Sequence, residues 1–147
     1  MAKKITTAKH KAAVKVKKSN IKNLLLVTAL IEAVTGLMLI VFPSFMAKLL
    51  LGSELEAAVS VTVAQIAGLA ILTLGIASWR ARVHWQSDAA RGLITAMTFY
   101  NVGILILLVY AGFGLDFICP GLWSVVVVHL LMSAWCISAL MNRTSQV

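Results

Sequence analysis

The feature that most constrains this chain is the apolar stretch of residues 23–42, NLLLVTALIEAVTGLMLIVF, which contains a single carboxylate, Glu32. About 20 helical residues cross the roughly 30 Å hydrocarbon core of a bilayer, and this stretch has that length. Three stretches of similar length and composition follow it. Hydrophobic residues make up 61% of the chain, whereas soluble domains contain roughly 45–50% apolar residues. The surplus is therefore expected to contact lipid.

The predicted fold is an all-α, four-span antiparallel transmembrane helix bundle with short loops and no separate soluble domain. Pro43 cannot continue a helix and should follow the end of the first span. Ser53 has a side chain suited to capping the start of the second helix. The sequence divides into a basic tail at residues 1–22 and spans at about residues 24–42, 57–78, 93–112 and 121–141.

Basic residues are distributed unevenly among the predicted loops. Twelve of the thirteen Lys and Arg residues lie in the N-terminal tail, the loop after the second span and the C-terminal tail, and the other is Lys48. Cytoplasmic loops of membrane proteins are enriched in Lys and Arg. The three basic regions share one side only if the number of spans is even. We therefore predict a multi-pass protein of the inner (cytoplasmic) membrane with both termini in the cytoplasm.

The N-terminal tail carries eight lysines and no arginine or aromatic residue. Because Lys11, Lys15, Lys18 and Lys22 recur at helical spacing, one interpretation is an interfacial helix that contacts anionic lipid headgroups or a partner subunit. The other is a solvated tail whose charge only sets the topology. Nucleic acid is not an expected partner, because base-stacking aromatics and base-reading arginines are missing from the tail.

A second basic region follows the second span, where Arg80, Arg82 and Arg91 lie near Trp79 and Trp85. Tryptophan and cationic side chains concentrate where a membrane meets water. We therefore predict that these arginines contact lipid headgroups or a partner.

Each predicted span carries a polar residue near its centre. These residues lie about eight residues, or about 12 Å of helix, from one end of their spans. Their depths in the membrane therefore agree within about one helical turn. A charged residue at this depth costs roughly 2.5–3.5 kcal/mol, so these side chains should face the interior and find partners. The candidates for a proton or ligand site are Glu32, Gln65, Tyr100, Asn101 and His129.

Two interpretations of this polar layer remain open. Glu32 and His129 could form a proton relay or an ion or ligand site, or the layer could supply only interhelical hydrogen bonds, worth about 0.6 kcal/mol each. Removal from water favours the neutral form of a carboxyl group, and only His129 could supply a cation at this depth.

No metal, cofactor or catalytic residue is predicted. One Glu and one His fall short of the three protein ligands of a catalytic zinc. No second histidine lies within a span to complete a haem site, and no serine is placed to complete a hydrolase triad. The two cysteines, Cys119 and Cys136, are expected to be free, because helical rise separates them beyond disulfide reach.

Glycines on the helix faces predict close packing between neighbouring backbones. Gly68 and Gly75 share one face of the second span with Gln65, Leu72 and Trp79. The full set of predicted packing glycines is Gly36, Gly68, Gly75 and Gly103.

The segments ELEAAVSVTVAQIAGLAILTLGIASW, AARGLITAMTFYNVGILILLVYAG and LWSVVVVHLLMSAWC resemble an uncharacterised family of small bacterial four-transmembrane-helix proteins. The likeness covers about residues 24–141 and implies the fold and a polar core, but no activity. Two positions depart from the family pattern: Gln65 stands where the family often has Arg, and Ser124 where it often has Pro. Without that Arg, an ion pair with Glu32 is not expected. The matching residues are Glu32, Gly36, Pro43, Ala64 to Gly68, Tyr100, Asn101 and His129.

Two hypotheses of function follow. The first is a non-catalytic accessory or structural subunit that packs in a larger membrane protein complex, with the basic tail as a cytoplasmic contact. The small size, the glycine faces and the missing catalytic set favour it. The second is a small transporter or a proton- or ligand-binding bundle that uses Glu32 and His129. It is favoured because an ionisable residue inside a membrane is usually functional.

Overall fold

The computed structural model describes the backbone of residues 2–115, 117 and 119–144, and the side chains of residues 20–115, 117 and 119–141. Over these residues the protein is all-α, without a strand. The helices are α1 (Ala2–Val41), α2 (Pro43–Leu51), α3 (Ala58–Ala81), α4 (Asp88–Gly114) and α5 (Pro120–Thr144).

Four helical segments are long and apolar enough to cross a membrane, which indicates a multi-pass membrane protein. The prediction of an all-α chain with four long apolar helices is confirmed. The four segments are Asn20–Val41, Ala58–Ala81, Asp88–Gly114 and Pro120–Met141.

The first helix is much longer than the predicted first span. It contains 40 residues, which corresponds to about 60 Å, twice the thickness of a hydrocarbon core. The backbone of the basic tail is thus helical and continuous with the apolar segment. Lys22 is half-buried, whereas the side chains of Lys11, Lys15 and Lys18 lie outside the described residues. Their contact with lipid or a partner stays a prediction.

Proline and glycine delimit the short helix α2. Pro43 occupies its first turn, where a missing amide hydrogen is tolerated, and Phe42 separates it from α1. Gly52 ends it with a φ of 74°, a left-handed conformation that costs glycine little.

The helix α3 begins at Ala58, four residues later than a cap at Ser53 would place it. Its N-cap is Ala57, which makes no side-chain capping bond. The hydroxyl of Ser53 instead lies 3.5 Å from the carbonyl oxygen of Glu54, so the prediction that Ser53 caps this helix is wrong. Residues 52–57 are not helical, and the Glu54 carboxylate within them pairs with Lys48 of α2 at 2.7 Å.

The long helices pack most extensively as two pairs, α1 with α3 and α4 with α5. In the first pair, Gly75 lies against Ala29, Gly68 against Gly36, and Gln65 against Ile40. The residue numbers in contact therefore increase along α1 as they decrease along α3.

The two pairs join at one end of the molecule. There a buried cluster draws on α1, α4 and α5, with Leu74 and Ala81 of α3 packed against it. Its buried members are Ile21, Leu24, Leu25, Ile94, Met97, Met132, Cys136 and Ala139.

At the other end, a smaller cluster of Ala111, Leu122 and Val126 lies between α4 and α5. The helix α2 covers it through Leu51. Gly121 lies directly on the carbonyl group of Leu49, which also accepts a hydrogen bond from the Cys119 thiol at 3.0 Å. Cys119 and Cys136 are both free, as predicted.

Candidate intramembrane site

Glu32 is the buried carboxyl group of the apolar segment of α1, with only 6% of its surface exposed. It lies on the face that packs against α3, opposite Gly75. A Cβ added to Gly75 would lie 3.2 Å from the Cβ of Glu32, so the absence of a side chain there lets the two helices close over Glu32. Among the described residues, no hydrogen bond or ion pair reaches its carboxyl group.

Tyr100 lies near this carboxyl group, and His129 lies next to Tyr100. The Tyr100 hydroxyl is within electrostatic range of Glu32. The rings of Tyr100 and His129 are 6.1 Å apart between centroids, inclined at 53°. Both side chains are half-buried. Tyr100 of α4 thus lies near both Glu32 of α1 and His129 of α5.

The hydrogen bond of His129 determines which of its ring nitrogens is available. Its Nδ1 lies 2.9 Å from the carbonyl oxygen of Val125. Since a carbonyl group can only accept, Nδ1 carries a proton and donates it, and Nε2 of the neutral ring is left as an acceptor. The ring can therefore take up a proton at Nε2 without breaking the bond to Val125.

Asn101 is buried next to Tyr100, with 3% of its surface exposed. Its amide nitrogen donates to the carbonyl oxygen of Met97 at 2.7 Å, one turn earlier in α4. The hydrogen bonds of Asn101 and His129 therefore lie within their own helices, and neither joins two helices.

Gln65 does not lie with the other polar residues. It is exposed, and its amide donates to the carbonyl oxygen of Ile40 at 3.1 Å. Ile40 lies eight residues from Glu32, about 12 Å along the helix, so the prediction that Gln65 shares their depth does not hold. The prediction assumes that Gln65 and Glu32 lie equally far from the ends of their spans. In the structure, Gly75 and not Gln65 is the residue of α3 that lies opposite Glu32.

Three of the four predicted packing glycines lie in the contact between α1 and α3. A Cβ added to Gly36 would lie 2.6 Å from the carbonyl oxygen of Gly68, and one added to Gly68 would lie 2.8 Å from that of Gly36. Gly75 meets the backbone of Ala29 and Ala33. Gly103 differs, because a Cβ there would meet no described atom within 4 Å. It brings no two helices together within the described chain.

A polar residue that the sequence reasoning missed is Ser78, which is fully buried. Its hydroxyl has no hydrogen-bond partner among the described residues. Ser78 lies three residues after Gly75 on the face that packs against α1, and this spacing could have identified it. Thr28 and Ser133 are also buried.

The basic loop lies at the end of α3 and the start of α4. The guanidinium carbon of Arg82 lies 3.5 Å from the ring centroid of Trp79, a cation–π contact. Arg80 and Arg91 are exposed, and Trp85 is half-buried. A contact of these arginines with headgroups or a partner stays a prediction.

The described residues contain no group of three or more His, Cys, Asp or Glu side chains that could hold a metal ion. The candidate site therefore consists of one carboxyl, one phenol and one imidazole group. These groups can exchange protons or hydrogen-bond a ligand.

No curated protein and no solved structure matches this chain significantly. A family match covers residues 2–144, nearly the whole chain. This chain therefore belongs to the family described as "Domain of unknown function (DUF8292)".

Proposed function

We propose that this protein is a non-catalytic, four-span antiparallel bundle of the inner membrane that binds a proton or a small ligand at Glu32, Tyr100 and His129. The observation that carries this proposal is that Glu32 is a buried residue whose carboxyl group has no hydrogen bond or counter-charge among the described residues. A carboxyl group that serves only as a link between helices should have a partner in a neighbouring helix.

The chemistry of the site supports this proposal. A carboxylate at this depth must be neutralised, by a proton or by a cation from outside the chain. The Tyr100 hydroxyl can donate or accept a hydrogen bond, and Nε2 of His129 can accept one. A proton on Glu32 thus has neighbouring groups to receive it.

The test is infrared spectroscopy of the protein in bilayers from neutral to alkaline pH, where carboxyl groups in water are ionised and do not contribute to the band. A proton-binding Glu32 contributes a protonated-carboxyl band that should disappear in Glu32→Gln. The matched control is Glu56→Gln, which removes an exposed carboxylate outside the spans and should leave the band intact. A band that survives in a folded Glu32→Gln variant would contradict the proposal.

A second candidate function is an accessory subunit of a larger membrane complex. The length of α1 favours it, because a helix of 40 residues extends about 30 Å beyond the hydrocarbon core. The extension carries eight lysines within the first 22 residues. It would offer a partner a charged arm in the cytoplasm.

Native mass spectrometry of the protein, extracted from its own membrane in a mild detergent, tests this second function. A subunit should co-purify with larger chains in fixed stoichiometry and lose them when residues 2–18 are deleted. Glu32→Gln should keep those partners. A protein that appears alone under these conditions would count against the accessory function and leave the Glu32 proposal intact.

The topology can be tested by labelling single cysteines, with Cys119 and Cys136 replaced by serine. With both termini in the cytoplasm, Ser53→Cys should react with an impermeant maleimide on intact cells. Gln86→Cys should react only after the membrane is permeabilised. The reverse pattern would overturn the orientation.

A further inference from the structure

A groove lies between the end of α3 and the start of α4. Its volume is about 530 Å³. Ala77 and Ala81 of α3 and Leu93 of α4 form an apolar wall, and Arg80, His84 and Ser87 lie at its polar end. The groove thus has a cationic part and an apolar part.

The position of the groove relates these two parts to the membrane. Its polar end belongs to the connection between two segments that can cross a membrane, Ala58–Ala81 and Asp88–Gly114. Ala77 lies four residues inside the first segment, about 6 Å deeper than Ala81. The apolar wall therefore runs from the interface towards the hydrocarbon core. Tryptophan is enriched at the membrane–water interface, and Trp79 lies near the end of α3.

The charges in the groove favour an anion. Arg80 and His84 are both exposed, and no acidic side chain is among the lining residues. Arg82 is held differently, because its guanidinium group stacks on Trp79. Asp88 is the nearest carboxylate in sequence and does not line the groove. Arg80 and His84 are therefore available to contact a phosphate group.

We propose that this groove binds one anionic phospholipid, with its phosphate at Arg80 and His84 and an acyl chain along Ala77, Ala81 and Leu93. A phospholipid is favoured over a soluble anion because one molecule supplies both the negative charge and the chain that the apolar wall requires. The proposal goes beyond the Glu32 site and is independent of it, since it requires only that α3 and α4 span the membrane.

The experiment is native mass spectrometry of the full chain, reconstituted with phosphatidylglycerol or with phosphatidylcholine of identical acyl chains. The wild type should retain one phosphatidylglycerol more strongly than phosphatidylcholine. Arg80→Gln should lower that preference about fivefold, since each cation near an anionic surface contributes a factor of this order. The double variant with His84→Gln should reduce retention of phosphatidylglycerol to that of phosphatidylcholine.

Two control variants separate the groove from general charge and from the headgroup alone. Arg91→Gln removes an equal charge from an exposed residue of α4 that does not line the groove, and should lower the preference less than Arg80→Gln does. Ala77→Trp fills the apolar wall and should reduce retention of both lipids. Size-exclusion chromatography establishes that each variant remains folded.

Three results would overturn the proposal. One is equal retention of the two lipids by the wild type. Another is an equal loss of the preference for phosphatidylglycerol in Arg80→Gln and Arg91→Gln, which would indicate a diffuse attraction of the lipid to the basic loop. The third is displacement of the lipid by glycerol phosphate, which would indicate a site for a soluble anion.

Discussion

The two helix pairs of this protein are held together in different ways. Between α1 and α3, the contact is made by backbones that approach closely at Gly36, Gly68 and Gly75. Between α4 and α5, side chains make the contact, with Leu122 and Val126 of α5 packed against Ala111 of α4. Phe113 and Trp123 meet edge to face, with ring centroids 5.0 Å apart.

The difference shows how a polar site can form in a small membrane protein. Helices in lipid gain little from burying apolar surface, so they associate by close packing. Glycine packing between α1 and α3 buries Glu32 against a position that has no side chain to bond it. Packing between α4 and α5 instead places Tyr100 near that carboxyl group and His129 next to Tyr100. The candidate site lies where these two kinds of contact meet.

The largest effect is expected from a side chain inserted between α1 and α3. Gly68→Leu would drive a side chain into the backbone of Gly36, where a Cβ alone would lie 2.8 Å from the carbonyl oxygen, so the two helices would have to separate. We expect loss of the folded protein, measured as the fraction recovered as a single species by size-exclusion chromatography. The matched control is Gly103→Leu, because a Cβ there has open space. Equal losses in both variants would show that the glycine contact has no special importance.

A smaller effect is expected when a buried side chain between α4 and α5 is shortened. Leu122 is fully buried, and Leu122→Ala should lower the free energy of unfolding by about 2–5 kcal/mol through lost packing. Leu130→Ala is the control, since Leu130 lies on the same helix and is 54% exposed. Thermal unfolding in detergent measures both. Equal shifts would mean that α4 and α5 do not depend on buried side chains.

The hydrogen bond between α5 and α1 should contribute less. The indole nitrogen of Trp135 donates to the side-chain oxygen of Asn20 at 2.7 Å. Trp135→Phe should destabilise the protein by about 0.6 kcal/mol, the average for such bonds in membranes. A double-mutant cycle with Asn20→Ala isolates this value. Fully additive single effects would show that the bond adds no stability.

The smallest effect is expected at the exposed ion pair of α2. Lys48 holds the pKa of Glu54 below its usual value through a hydrogen bond and its charge. The pair therefore stabilises the fold above the pKa of the unfolded carboxyl group, and this contribution disappears as the pH falls through the lower folded value. Lys48→Met should barely change the unfolding temperature at neutral pH. A large change at neutral pH would contradict this expectation.

Particular residues show how far sequence reasoning reached. The four apolar segments and the end of α1 before Pro43 were predictable, because they depend on composition and on the geometry of one residue. The closeness of the Tyr100 and His129 rings, 6.1 Å apart between centroids, agrees with their similar predicted depth. Gln65 was misplaced because depth along a helix does not reveal how far two helices slide past each other. Ser53 was misplaced because residues 52–57 are not helical, and side-chain type alone does not reveal which residue of a connection begins the helix.

The sequence by itself determined that this chain forms long apolar helices, since lipid requires about 20 apolar residues with every backbone group bonded within the helix. It also determined which polar side chains could lie among them. Only the tertiary structure decided that Glu32 faces Gly75, that Gln65 bonds Ile40, and that a groove opens beside Arg80. These features depend on the registers between helices, which are set by side-chain and backbone contacts between residues far apart in the chain.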